Sequence, residues 1–299
     1  MISVENLNKS FDKFKAINEL SLKVEKGSVY GLIGPNGAGK TTFIKILMGI
    51  YRQDSGSVRV NDENVYENSK LKQKIVYISD DLFFFTTYSI IETAKYYADI
   101  YENWDWDMFE KLRDIFKIDV KRRCKRLSKG MQKQVAFWLG MCIKPELMVL
   151  DEPVDGLDPV MRRNTWAVIL QEVAERNMTV LVSSHNLREL EDVCDHVGIM
   201  FNGSIVLEKA LDDAKGEIHK VQTAFNGCAP KEFLSELNIL HTSKFGSVET
   251  YIVKGTAEEI KNKGAKYDPL IFDILPLTLE EIFIYELGGL GYEFENILI

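Results

Sequence analysis

Eight residues near the N-terminus constrain the fold of this chain more than any other segment. Residues 34–41 read Gly-Pro-Asn-Gly-Ala-Gly-Lys-Thr and fit the pattern G-x-x-x-x-G-K-[ST]. The apolar run Val29–Ile33 precedes them, and the helical periodicity of Thr42–Ile50 follows. A glycine-rich turn between a strand and a helix lets backbone N–H groups and the helix N-terminus point at phosphate oxygens. The segment therefore predicts a phosphate-binding loop, in which Lys40 reaches the β- and γ-phosphates and Thr41 binds Mg²⁺.

The first 210 residues alternate between short apolar runs and amphipathic stretches, which is typical of an α/β fold with a largely parallel sheet. The interval from about 82 to 141 breaks this rhythm, because it is rich in aromatic residues and has helical but little strand character. We expect a helical insert there. The predicted buried strands are Val29–Ile33, Ile75–Ile78, Leu147–Leu150, Val180–Ser183 and Val197–Met200.

A second domain is predicted at the C-terminus, since 299 residues exceed the roughly 100–200 of a typical domain. Residues 217–299 hold 13 acidic and 7 basic side chains, a net charge of −6 out of −8 for the whole chain. Their pattern β-α-β-β-α-β-α suggests a small α+β, ferredoxin-like sandwich. We therefore expect a nucleotide-binding domain over 1–216 and an accessory domain over 217–299, with a regulatory or dimer-stabilising role.

Two carboxylates follow the predicted strand Leu147–Leu150. Phosphoryl transfer depends on positioning and charge neutralisation, so Asp151 is placed to hold Mg²⁺ and Glu152 to orient and polarise the attacking water. His185 follows another predicted strand. Because the C-terminal ends of parallel strands meet at one edge, we expect His185 on the same edge as Gly34 and Asp151.

Two further motifs carry a resemblance to a known family. Residues 127–132 read Leu-Ser-Lys-Gly-Met-Gln, 24 residues before Asp151, and residues 155–159 read Asp-Gly-Leu-Asp-Pro. They resemble the signature motif and the D-loop of the ATPase subunits of ABC transporters, and the motif order covers residues 1 to about 210. The single cassette, the Leu-Ser-Lys-Gly-Met form and the tail of about 80 residues are most similar to the Ytr/Ecs-like subunits of Gram-positive exporters.

The resemblance implies a head-to-tail dimer in which ATP bound to one cassette is covered by Ser128 and Gly130 of the other, and hydrolysis reopens the pair. It assigns catalysis to Lys40, to Glu152 as base and to His185 at the γ-phosphate, and it lets Asp158 couple the two sites. The implied nucleotide-binding residues are Phe11, which stacks on adenine, and Asn36, Gly37, Ala38, Gly39, Lys40, Thr41, Thr42, Ser128, Gly130 and Asp158; the implied metal ligands are Thr41 and Asp151, to which the chemistry of carboxylates adds Asp80.

The chain departs from the family pattern in the signature and after the strand Ile75–Ile78. Lys129 and Met131 replace the usual glycine and glutamine of the signature. Asp80 or Asp81 stands where most members have a glutamine. A carboxylate is a better Mg²⁺ ligand than an amide, so one of the two acids could keep the metal role. The alternative is a pair of surface acids that opens the helical insert.

Two other clusters allow two interpretations each. Residues 121–126 read Lys-Arg-Arg-Cys-Lys-Arg and form either a solvated face near the phosphates of the partner's ATP or a nucleic-acid patch. Residues 83–85 are three phenylalanines that either pack within the insert or border the groove for the permease's coupling helix.

The sequence thus predicts an ATP- and Mg²⁺-dependent ATPase that pairs with itself or a related cassette and drives a separate membrane permease, with export as its direction. The alternatives are a soluble cassette ATPase acting on ribosomes or DNA, and a P-loop GTPase or small-molecule kinase. The acidic net charge argues against nucleic acid. No apolar run reaches the ~20 residues of a membrane span, and residues 1–5 lack the pattern of a secretory signal. We expect a cytoplasmic protein, held at the inner face of the membrane through its permease.

Overall fold

The computed structural model of the chain describes residues 1–153, 157–211, 218–225, 229–278, 280–282 and 284–285. It divides into two compact units, Met1–Glu208 and Lys209–Ile299. The boundary expected between residues 216 and 217 lies outside the described residues. Within the part of the chain that is described, no helix has both the length and the hydropathy that crossing a membrane requires.

The first 210 residues contain ten strands and six α-helices among the described positions. In chain order they are β1 (Ile2–Phe11), β2 (Phe14–Val24), β3 (Val29–Ile33), α1 (Lys40–Leu47), β4 (Ser55–Val60), β5 (Glu63–Asn64), α2 (Ser69–Lys72), β6 (Ile75–Ile78), α3 (Ile90–Ile100), α4 (Trp106–Phe116), α5 (Lys129–Cys142), β7 (Leu147–Asp151), α6 (Pro159–Arg176), β8 (Thr179–Ser184), β9 (His196–Phe201) and β10 (Ser204–Ala210).

Two sheets build this unit. The larger has the order β10-β9-β3-β8-β7-β6, and its neighbours from β9 to β6 pair in parallel. All residues of β3, β7 and β8 are buried, as expected for central strands covered on both faces. The smaller sheet, β2-β1-β4-β5, is antiparallel. The parallel sheet confirms the predicted α/β phosphate-loop fold, and its aligned strand ends create the edge at which the site lies.

The helical insert begins after β6 and contains α3, α4 and α5. Local capping defines its helices: Ser89 and Glu92 form a capping box at α3, and Asp105 caps α4 through the N–H of Met108. The Phe109 and Trp138 rings stack with centroids 4.7 Å apart, and the Trp138 Nε1–H donates to the Phe109 carbonyl over 2.9 Å. This buried aromatic contact joins α4 to α5.

The second unit is an antiparallel four-stranded sheet with helices between its strands. Its elements are β11 (Ile218–Ala224), α7 (Lys231–Glu236), β12 (Asn238–Phe245), β13 (Val248–Lys254), α8 (Ala257–Gly264) and β14 (Ile271–Pro276). The strand order β12-β13-β11-β14 and the chain order β-α-β-β-α-β are those of a ferredoxin-like fold, which confirms that prediction. Of the helix predicted over Leu279–Leu287, residues 279, 283, 286 and 287 lie outside the described residues, and the others are helical.

Candidate active site

A cavity of about 330 Å³ lies at the C-terminal edge of the parallel sheet. The loop between β3 and α1 forms one wall, and residues that follow β6 and end β7 form another. Most of the residues predicted for phosphate, metal and catalysis therefore lie around one space. The lining residues are Phe14, Ala16, Pro35, Asn36, Gly37, Gly39, Lys40, Thr41, Thr42, Asp80, Asp151 and Glu152.

The phosphate-binding loop needs glycine at both of its ends. A Cβ on Gly34 would lie 2.3 Å from the carbonyl oxygen of Met200, so no other residue fits there. Gly39 has a φ of 107°, and its Cβ would lie 2.6 Å from the carbonyl oxygen of Ala16. Helix α1 begins directly after it without a side-chain cap. Its first-turn N–H groups remain available for an anion such as phosphate.

Lys40 is buried at the start of α1 and directs its ammonium group at the loop and at Glu152. Its Nζ lies 2.6 Å from the Gly34 carbonyl oxygen, 3.3 Å from that of Pro35 and 3.5 Å from Glu152 Oε1. Burial lowers the pKa of Lys40, and the Glu152 carboxylate opposes that shift. The buried ammonium group is thus held beside the Glu152 carboxylate.

Glu152 contacts Ser183 at the end of β8, His185 directly after β8, and Lys133 of α5. Its Oε2 lies 2.9 Å from His185 Nδ1, and its N–H lies 3.3 Å from the Ser183 carbonyl and 3.2 Å from Ser183 Oγ. Its own carbonyl oxygen accepts a hydrogen bond of 2.7 Å from Lys133 Nζ. His185 does not line the cavity, but Glu152 brings it into contact with the site.

Asp151 is buried at the end of β7, with 3% of its surface exposed. Its Oδ1 accepts a hydrogen bond of 2.5 Å from Ser183 Oγ, its partner across the parallel pair β7 and β8. Burial and the Asp151 charge raise the pKa of Tyr77. Ser183 and Tyr77 were not predicted as site residues; the signal for Ser183 is a polar side chain at the end of a buried strand that pairs with β7.

Asp80, and not Asp81, lines the cavity. Its Oδ1 lies 3.1 Å from Lys133 Nζ, so Asp80 is paired with a cation that the sequence analysis did not single out. Asp80 also borders a second cavity of about 690 Å³, together with Asp81, Leu82, Lys125, Lys129, Gln132 and Lys133.

Phe11, which the resemblance implies at the adenine, is absent from the residues that line the cavity. The Phe11 ring packs edge-on against Tyr51, with centroids 5.4 Å apart, and does not line the cavity. The ring at the cavity belongs to Phe14, which pairs with Phe11 across the hairpin of β1 and β2. Because the two rings lie on either side of the same tight turn, the sequence pattern alone could not show which of them lines the cavity.

Ser128, Gly130 and Asp158 do not line this cavity. Ser128 caps α5 by accepting from the Met131 N–H over 3.3 Å, and Gly130 lies in the first turn of that helix. Asp158 caps α6 through the N–H groups of Val160 and Met161, both at 3.1 Å. Ala38 is buried within the loop. Asp155 and Gly156 of the D-loop lie outside the described residues.

The three phenylalanines after Asp81 do not share one environment. Phe84 is buried, whereas Phe83 and Phe85 are exposed and contact each other with ring centroids 5.6 Å apart. Lys125 of the basic cluster lies over the Phe83 ring, 5.9 Å from its centroid. Phe84 is therefore an interior residue, whereas Phe83 and Phe85 form surface.

The oxygen donors around the cavity suit a hard divalent cation that takes phosphate oxygens as its other ligands. Thr41, Asp80 and Asp151 offer only oxygen atoms. Among the described residues, no group of three or more His, Cys, Asp and Glu side chains lies close enough to hold a metal. Mg²⁺ typically takes one or two carboxylates together with substrate phosphates and water, so this donor set fits it.

The chain is similar to proteins of known family and known structure. Residues 17–155 match the family model described as ABC transporter. The chain is 32% identical to the ABC transporter ATP-binding protein YtrB of Bacillus subtilis (strain 168), over 97% of this chain and 99% of that protein. It is 31% identical to the bacitracin transport ATP-binding protein BcrA of Bacillus licheniformis, over 72% and 71% of the two chains. A solved ATP-binding cassette of an ABC transporter, in its ADP conformation, superposes with a TM-score of 0.61 at 25% identity, over 72% of this chain and 92% of that one.

Proposed function

From the membership of this chain in the ABC transporter family, as an ATP-binding and ATP-hydrolysing subunit, we propose that hydrolysis takes place in the cavity between residues 34–42 and Glu152. One observation carries the proposal. Lys40, Glu152 and His185 come from distant segments and form a contiguous group at the phosphate-binding loop.

Each side chain has a defined task in this proposal. The loop N–H groups and Lys40 bind the phosphates, and Lys40 exchanges its contacts with loop carbonyls for phosphate oxygens. Glu152 orients the attacking water and accepts its proton. His185 fixes the Glu152 carboxylate, and we assign to it the contact with the γ-phosphate that the family resemblance implies.

Thr41, Asp151 and Asp80 are proposed to hold Mg²⁺, which when bound neutralises phosphate charge. Ser183 donates to Oδ1 of Asp151, and the Asp151 side chain lines the cavity. Phe14 is placed to stack on the nucleotide base.

We further propose that two cassettes form the complete site, as a homodimer or with a related cassette. Ser128 and Gly130 do not line the cavity of their own chain, so their part in nucleotide binding requires a second chain. Asp158, at the start of α6, would couple the two sites.

The remaining proposals concern partners and place of action. The relative BcrA is named for bacitracin transport, which favours a separate transmembrane permease and export as the direction. The chain would then lie at the cytoplasmic face of the membrane, held by its permease. The second unit, Lys209–Ile299, is proposed to regulate the cassette or stabilise the dimer.

Three measurements test these proposals. Purified full-length chain should hydrolyse ATP in the presence of Mg²⁺, and Glu152→Gln should abolish hydrolysis and trap an ATP-bound dimer in size-exclusion chromatography. Copurification from membranes should recover a permease. Deletion of residues 217–299 should change ATPase activity, dimerisation or complex assembly. Unchanged values in all three would refute the role proposed for that unit.

A further inference from the structure

We propose that Lys133 is a positioning residue for ATP hydrolysis, which holds the peptide of Glu152 and the carboxylate of Asp80 in their working geometry. The inference rests on the hydrolytic role of Glu152 proposed above. Lys133 lies in α5, one residue beyond the signature segment 127–132, and it does not line the nucleotide cavity.

Two hydrogen bonds define the position of Lys133. Its Nζ lies 2.7 Å from the carbonyl oxygen of Glu152 and 3.1 Å from Asp80 Oδ1. These partners are 19 and 53 residues away along the chain, and they follow two neighbouring strands of the parallel sheet, β7 and β6. One ammonium group therefore joins the insert to both acidic segments of the site.

Lys133 is buried, so its ammonium group depends on these two hydrogen bonds. Lys133 is 5% exposed, whereas Asp80 retains 63% of its side-chain surface in solvent. A buried ammonium needs hydrogen-bond acceptors or an opposite charge, and in the described part of the chain Glu152 and Asp80 supply both. Packing alone would favour an apolar side chain at this position.

The hydrogen bond from Lys133 holds Glu152 in an unusual backbone conformation. Glu152 has a φ of 48°, in the left-handed region that residues other than glycine rarely adopt. Its N–H donates to Ser183 Oγ and its carbonyl accepts from Lys133, so the backbone of Glu152 is held on both sides of its Cα. This conformation places the carboxylate between Lys40 and His185. Without Lys133 the carbonyl would lose its partner, and the carboxylate could leave this position.

Lys133 also lies on the helix that Ser128 caps. Five residues of α-helix span about 7 Å, so the helix start and the Lys133 contacts belong to one rigid segment. If Ser128 and Gly130 engage the nucleotide of a second cassette, any shift of α5 acts directly on the Glu152 peptide of its own cassette. Lys133 thus links the helix that carries Ser128 and Gly130 to Glu152, the base of the proposed reaction.

Two substitutions in the full-length chain test the inference. Lys133→Met keeps the length and apolar packing of the side chain but removes the donor, whereas Lys133→Arg keeps charge and donors. We expect Lys133→Met to lower kcat about tenfold, the scale of one lost hydrogen bond to a charged group, with affinity for a fluorescent ATP analogue within about threefold of the parent. Lys133→Arg should retain at least about a third of the parental kcat. Lys111→Met, at an exposed lysine of α4, is the control and should match the parent.

The relative kcat values of Lys133→Met and Lys133→Arg distinguish a positioning role from a packing role. A packing role predicts that Met is tolerated and the bulkier Arg is not, with matching losses in melting temperature. The inference alone is overturned if Lys133→Met stays within twofold of the parental kcat, or if kcat and ATP affinity fall by the same factor. A parent chain without ATPase activity would instead overturn the proposed function and the inference together. If Lys133→Met does not fold, Lys133→Gln replaces it and must also show a lower kcat than Lys133→Arg.

Discussion

The carboxylate of Glu152 lies 2.9 Å from Nδ1 of His185, although 33 residues separate them along the chain. The parallel pairing of β7 and β8 accounts for this contact, because the two residues directly follow the ends of these adjacent strands. The second carboxylate oxygen faces Lys40. The acid is therefore fixed from two sides before any substrate binds.

Replacing Glu152 by glutamine should stop hydrolysis while leaving nucleotide binding intact. The amide keeps a hydrogen-bond acceptor for His185 but cannot accept the proton of the attacking water. We expect ATPase activity to fall by about a hundredfold or more, measured as phosphate release. Glu175→Gln, at an exposed position of α6, is the matched control. Wild-type turnover in Glu152→Gln would refute the role of Glu152 as the base.

Phe14 should contribute more than Phe11 to ATP affinity, because its ring lines the cavity and that of Phe11 packs on Tyr51. Loss of one base-stacking ring costs about 1–3 kcal/mol, so Phe14→Ala should weaken binding about tenfold. Phe11→Ala should change it less than about threefold. Equilibrium titration with ATP compares the two variants, and the reverse order would return the stacking role to Phe11.

A double-mutant cycle should show coupling between Asp80 and Lys133 in the free energy of unfolding. Asp80→Asn removes the counter-charge of a buried ammonium and should destabilise the chain by about 1–2 kcal/mol. In the Lys133→Met background the same change should cost much less, since no buried cation remains. Denaturant unfolding of the four proteins measures this. Strictly additive effects would contradict the pairing.

The stability of the second unit should fall in mild acid because of His219. Burial lowers the pKa of His219 below its ordinary value of 6.5, so below about pH 6.5 the unfolded chain binds more protons than the folded chain. The contribution of the neutral ring is complete above that pH and is lost as the pH falls towards the folded-state pKa.

His219→Leu should therefore show a smaller loss of melting temperature between pH 7.5 and pH 5.5 than the parent. Circular dichroism at the two pH values gives the comparison. His241→Leu, at an exposed histidine of the same sheet, should keep the parental pH dependence. Equal losses in parent and His219→Leu would exclude His219 as the source.

Much of the site could be predicted from short segments. Residues 34–41 and 151–152 are recognisable because glycines, a lysine and acids must stand at set positions next to buried strands. The family resemblance added Ser128 and Asp158, which the structure shows as helix caps at the predicted segments. The alternating pattern also predicted the parallel sheet and the ferredoxin-like second unit.

Lys133, Ser183 and Phe14 could not be predicted in this way. A lysine within a helix, a serine at a strand end and an aromatic residue in a hairpin are each ordinary in sequence. Their importance arises from partners that lie far along the chain or across a turn, such as the 53 residues between Asp80 and Lys133.

The sequence by itself determined the phosphate-binding loop, the acids that follow β7 and the order of elements, because these depend on local backbone requirements and on hydrophobic periodicity. Tertiary structure alone decided which acid and which ring line the cavity, and which cation holds the peptide of Glu152. Those choices depend on strand order and side-chain direction in three dimensions, and neither is encoded in any one segment.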